Sequence, residues 1–252
     1  MSSIPGRHLT ERFGPPPLAA FEVDEIAGTA ALAVVSDPPS GAPNIGDAQR
    51  RIESAKLPSA ALWSLPNVAL DAGALGPFWV SAGSVAGRRH GWSGQTRQDA
   101  YAVELSRDGS AVVLVVADGL GSRPVSQVGA QHLTRSVADA VAAADLTGLA
   151  GPGEEILLAA IEQAQQRLVD VWGPAYGVED SRQLACTLAV VVLPTDLTAG
   201  PVLAARVGDA TVVSATNASS EPFTGIFPPG EGPVNVVSSS VPTAGLRQDI
   251  EI

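Results

Sequence analysis

Apolar and polar residues follow a regular rhythm in this chain only from Phe78 onward. Phe78-Trp79-Val80-Ser81-Ala82-Gly83-Ser84 predicts a strand that ends in glycine. Residues 101–105 and 111–117, joined by a turn at Arg107-Asp108-Gly109, predict a β-hairpin. Its second strand is almost wholly apolar, the pattern of a strand buried on both faces. Ala130, Leu133, Val137, Ala140, Val141 and Ala144 then recur at helical spacing. A second helix follows, with Leu157, Ile161, Ala164, Leu168 and Trp172 along one face. Glu154 and Glu155 sit in its first turn, where negative charge meets the positive end of the helix dipole. Residues 185–193 and 202–207 predict two further strands, and residues 210–214 a return strand. Strands, two helices and strands again predict an α+β layered fold, with the strands on either side of the helices sharing one sandwich under them.

The first 77 residues read differently. Pro15-Pro16-Pro17, Pro38-Pro39 and Ser40-Gly41-Ala42-Pro43-Asn44 interrupt any helix. The short apolar patches between them cannot offset the ordering entropy of so long a segment. Residues 1–77 are therefore expected to be a largely irregular extension, and residues 78–252 the folded domain. Trp63 is the extension's candidate for docking onto that domain.

Composition narrows the function. A hydrophobic fraction of 45% suffices for a core, while 26 Asp and Glu against 15 Lys and Arg leave a formal net charge of -11. That balance argues against nonspecific binding to nucleic acid or to an anionic membrane, both of which reward positive charge. The single cysteine, Cys186, excludes an internal disulfide and any cysteine-rich zinc site. No stretch approaches the ~20 apolar residues of a membrane span, and the N-terminus lacks the apolar region of a signal peptide. The expected location is the cytoplasm.

Three short segments carry candidate chemistry. Asp118-Gly119 closes the buried apolar strand, Gln98-Asp99 precedes the strand it pairs with, and Gly208-Asp209 joins two later strands. Asp-Gly alone reads as a turn. Antiparallel pairing, however, sets the start of the first strand beside the end of the second, so Asp99 and Asp118 should meet. Two carboxylates so placed repel unless a proton or cation lies between them, and hard divalent ions favour such oxygen donors. Gly208-Asp209 reads mainly as a tight hairpin turn.

In this order the segments resemble the protein phosphatase 2C family, in particular its bacterial branch. The resemblance rests on His90-Gly91-Trp92-Ser93-Gly94-Gln95-Thr96-Arg97-Gln98-Asp99-Ala100-Tyr101, Val116-Ala117-Asp118-Gly119-Leu120-Gly121-Ser122, Gly129-Ala130, Ala185-Cys186-Thr187-Leu188 and Arg206-Val207-Gly208-Asp209-Ala210. It covers roughly residues 78–235. The resemblance implies a four-layer αββα sandwich with two Mn²⁺ or Mg²⁺ ions at one end. It implies hydrolysis of phosphoserine or phosphothreonine in a protein by a metal-activated water, with a Ser/Thr kinase as a further candidate partner. It places metal ligands at Asp118, the Gly119 carbonyl, Asp99 and Gln98, with Asp99 and Asp118 central to catalysis.

This chain departs from the family pattern in three places. Gln98 stands where many relatives have glutamate. The arginine expected to bind the substrate phosphate is displaced, which leaves Arg97 and Arg89 as candidates, while His90 fits a structural hydrogen-bonding role better than that of a proton donor. The family's later aspartates have no counterpart after Gly208-Asp209, so the domain is expected to be truncated at its C-terminus. These departures keep a second function open, that of a phosphatase-like regulatory module binding a phosphoprotein or kinase without hydrolysis.

Overall fold

The computed structural model describes residues 22–26, 29–33, 66–146, 149, 151–215, 223–228, 237 and 239–252, the first two as backbone. The chain divides into two compact units, residues 1–53 and 54–252. In the first, β1 (Glu22–Ile26) and β2 (Thr29–Ala33) pair antiparallel. The docking expected of Trp63 falls outside the described residues.

The second unit is α+β, as the sequence predicts. Its centre is an antiparallel sheet in the order β5 (Ala100–Leu105), β6 (Ala111–Ala117), β7 (Leu188–Pro194) and β8 (Leu203–Val207). The β5–β6 hairpin turns where Asp108 accepts hydrogen bonds from Ser106 and Ser110 and Gly109 takes a φ of 73°. Helices α2 (Ser126–Ala143) and α3 (Gly153–Arg167) cover one face of this sheet. Leu133, Val137 and Val141 of α2 and Leu157 and Ile161 of α3 are fully buried there against Val113, Val115, Leu188 and Val190. The predicted second helix does not stay α-helical to its end. Leu168–Trp172 forms a π-helical turn, after which His132 stacks on Trp172 at 3.9 Å.

Three local expectations change. Val68–Leu75 is a strand, β3, pairing antiparallel with β4 (Phe78–Val85) through the turn at Gly76. The apolar run of β6 is sealed along its whole length on the helix side, but on the opposite face only at Val112. Val116, on the opposite face, is 49% exposed, because the helices pack on one side of the sheet. The return strand expected at 210–214 is not paired with β8. Residues Val213–Ala215 (β9) pair instead with Phe223–Gly225 (β10). The free edge of β8 is already taken, since Arg206 and Glu251 exchange both backbone hydrogen bonds, at 2.9 and 3.0 Å. Near the C-terminus a short helix, α4 (Leu246–Asp249), is tied to α3 by Arg247, which pairs with Glu155 and Glu162.

Candidate active site

Antiparallel register brings the start of β5 beside the end of β6, with Ala100 opposite Ala117. Asp99 and Asp118, one residue outside that pair, meet at the same end of the sheet and share a hydrogen bond. Asp118 as a whole is exposed, but neighbouring protein crowds its carboxyl. That crowding, the Asp99 hydrogen bond, and the charges of Asp99 and Asp209 push it up to about 7.

Asp209 arrives by a separate route. Gly208, ahead of it, has a φ of 86°, and a side chain there would lie 2.6 Å from the Ser239 carbonyl and 2.9 Å from Thr187. The bend therefore requires glycine, and it turns the chain so that Asp209 lines the same pocket as Asp99, Asp118 and Thr187, about 310 Å³ in volume. The sequence predicts a tight turn at Gly208-Asp209, and nothing local to these two residues reveals that the turn faces Asp118.

Gly119 is fixed by close approach. A Cβ there would fall 2.7 Å from the Gln98 carbonyl and 2.9 Å from the Ser126 hydroxyl. The two site segments are thus in backbone contact, which only glycine permits. Beyond it the Asp118 carbonyl accepts the Thr187 amide at 2.8 Å, and the Leu120 amide reaches the Ala185 carbonyl at 3.0 Å. The segment Ala185-Cys186-Thr187 is therefore the rail on which the Asp118 loop rests.

Gln98 is buried, and its Oε1 has no hydrogen-bond partner among the described residues. It lies in the neighbourhood of Gly121 and His90, since a Cβ on Gly121 would sit 3.5 Å from Gln98 Oε1 and 3.7 Å from His90 Nε2. A buried carbonyl oxygen left unpaired carries a desolvation cost that a cation or water would relieve. The neighbouring carboxyls of Asp99 and Asp118 are donors of the hard oxygen type that suits Mg²⁺ or Mn²⁺, and the orphaned Gln98 oxygen is another of that type, although Gln98 is not among the residues lining their pocket. Among the described residues no group of three or more His, Cys, Asp or Glu is arranged to hold a metal ion. Ligation would accordingly draw on neutral oxygens beside the Asp99–Asp118 pair.

Arg97 and Arg89 are not among the residues lining the acidic pocket. Arg97 is buried, donating from Nε to the Pro66 carbonyl at 3.0 Å and from Nη1 to Ser84 Oγ and the Asp99 carbonyl at 3.1 and 2.5 Å. Ser84 Oγ donates to the same Asp99 carbonyl. The guanidinium thus ties the β3–β4 hairpin to the start of β5 and fixes the backbone that carries Asp99. Arg89 is exposed on α1 (Arg88–Ser93), and its carbonyl accepts the Ser93 hydroxyl. Cys186 is fully buried, its thiol pushed out of the titratable range by burial and by Asp118, which leaves it no nucleophilic use.

A sequence model of the family described as Protein phosphatase 2C matches residues 86–224 of this chain. No curated protein matches it. Among solved structures, the serine/threonine phosphatase Stp1 from Staphylococcus aureus is similar at 14% identity and a TM-score of 0.43, over 68% of this chain and 55% of that one. The chain spans little more than half the length of that structure, and a likeness of this degree adds nothing to the family match. No described helix is long and apolar enough to cross a membrane.

Proposed function

The chain belongs to the protein phosphatase 2C family, and from that premise we propose that it hydrolyses phosphoserine or phosphothreonine in a protein substrate with the help of Mn²⁺ or Mg²⁺. The observation that carries this reading is that Asp99 and Asp118 meet at the end of the β5–β6 hairpin and line one pocket with Asp209. Carboxyls gathered this closely repel one another, and a cation between them relieves that repulsion.

Asp118 and Asp99, with the Gln98 amide oxygen and the Gly119 carbonyl, are the groups that would hold the ions. Such ions, when bound, offset charge on a phosphoryl group and acidify water for attack on phosphorus. The protein's own part is positioning. Arg97 holds the Asp99 backbone, Thr187 holds the Asp118 carbonyl, and Asp209 adds negative charge that favours cations in the pocket. The Thr187 side chain also lines the pocket, where its hydroxyl can donate to a phosphoryl oxygen.

A second reading, a phosphatase-like module that binds a phosphoprotein or kinase without hydrolysis, is favoured by one observation. Gln98 contributes a neutral oxygen where a carboxylate would bind a cation more tightly. Hydrolysis of a phosphothreonine peptide at saturating Mn²⁺ separates the two readings, with Asp118→Asn as control. The phosphatase reading expects turnover that drops at least about 100-fold in the variant. Absence of turnover, with the phosphopeptide still bound, would select the module.

A further inference from the structure

We propose, on the reading that the chain acts on phosphorylated polypeptides, that a second cleft binds another phosphoryl group of the same polypeptide through Arg123 and Arg182. This cleft, about 600 Å³, lies between α3, the 181–182 turn and residues 239–244. It adjoins the acidic pocket through backbone already described. The loop that leaves Asp118 along Ala185 closes a turn from the Arg123 amide to the Leu120 carbonyl at 2.8 Å, and Cys186 pairs on its other side with Val241. Asp118 and Arg123 are thus five positions apart on one loop, at most roughly 18 Å. An extended peptide with a phosphate at Asp118 reaches Arg123 within about five residues.

The two ends of that loop have opposite chemistry. The Asp118 end gathers carboxyls. The Arg123 end presents a guanidinium with no hydrogen bond or salt bridge among the described residues, sensed at a distance by Asp180. Arg182 uses Nε and Nη2 on the carboxylate of Asp180, an arrangement that holds its plane and leaves Nη1 uncommitted among the described residues. The hydroxyls of Ser181, Ser240 and Thr243 line the same cleft. The wall is rigid where it matters, because Gln165 clamps the Thr243 backbone at both its amide and its carbonyl, at 2.9 and 3.1 Å. Two guanidiniums and several hydroxyl donors around one space match the acceptor oxygens of a phosphate monoester. Asp249 also lines the cleft and opposes an anion. The site therefore suits a phosphoryl group in direct contact with both arginines rather than diffuse negative charge.

The test measures binding of the intact chain, by fluorescence anisotropy, to two peptides. One carries a single phosphothreonine, the other a second one four residues away. Two charge-assisted contacts predict at least about tenfold tighter binding of the doubly phosphorylated peptide. The preference should vanish in the Arg123→Gln/Arg182→Gln double variant and grow in Asp249→Asn. Turnover of p-nitrophenyl phosphate should be the same in all of these proteins, since none of the three residues touches the acidic pocket. Equal affinity of the unaltered chain for both peptides, or a preference that survives in the double variant, overturns the proposal. So does displacement of the doubly phosphorylated peptide by free phosphoserine at equal concentration, which would make the cleft a site for free anions. Binding is read without turnover, so a chain that hydrolyses nothing would defeat the phosphatase reading and still leave the cleft to be decided.

Discussion

The two faces of the central sheet share the same strands and almost the same residue types, yet their surroundings differ. Towards α2 and α3, Val113, Val115, Leu188, Val190 and Ala205 are sealed in one continuous core. On the other face Val112 and Ala189 are buried as well, but Val116, in register with Tyr101 on one side and Ala189 on the other, and Leu105 remain 49% and 37% exposed. Apolar composition therefore does not mark which face holds the domain together. The helices do, because burial follows from what packs on a strand and not from the strand itself. The candidate active site sits at the end of this asymmetric sheet, where polar groups replace the core.

Substitutions on the two faces should separate by size. Leu188→Ala, on the helix side, removes a fully buried side chain, and about 3 kcal/mol of stability should be lost in urea unfolding. Arg97→Met should cost about 2 kcal/mol, since it takes the side-chain donor from the Pro66 carbonyl and leaves the Asp99 carbonyl to Ser84 alone. It should also lower turnover more than the loss of folded protein explains, because Asp99 is no longer held in place.

Asp118 gives a smaller effect of opposite sign. Its carboxyl titrates higher in the folded chain, at about 7, than in the unfolded chain, near ~4. The favourable contribution is complete below ~4 and is lost as pH rises through about 7. In chelator, the unaltered chain should lose about 1 kcal/mol across that window, a figure reduced for the exposure of this group. Asp118→Asn should be flat over the same range and more stable at pH 8. A parallel pH slope in the variant would remove Asp118 as its cause. Smallest of all, Val116→Thr on the open face should shift stability by less than about 0.5 kcal/mol. A cost approaching that of Leu188→Ala would show that this face is covered in solution.

Much of this was legible along the chain. Periodicity located β5, β6 and the two covering helices, because those elements bury their apolar stripes against one another and the pattern records it. The meeting of Asp99 and Asp118 also followed, since antiparallel pairing is a local rule and the turn at Asp108-Gly109 sets the register. Strand β3 was harder to see, because Asp71, Ala72, Gly73 and Ala74 weaken its alternation. Arg97 looked like a ligand for phosphate. Its three acceptors come from residues 66, 84 and 99, and no sequence window joins them.

Strands β5 and β6, their pairing into a hairpin, the two covering helices and the acidic pair at the hairpin's end are legible in the sequence, because each depends on neighbours within some twenty residues. Only the closed domain sets which sheet face is sealed along its whole length and brings Asp209 to the pocket of Asp118. It alone also occupied the free edge of β8 with Glu251, so that residues 213–215 pair elsewhere. Those outcomes depend on contacts between segments distant along the chain. Their free energy comes from burial and hydrogen bonding that arise only once the whole domain has closed.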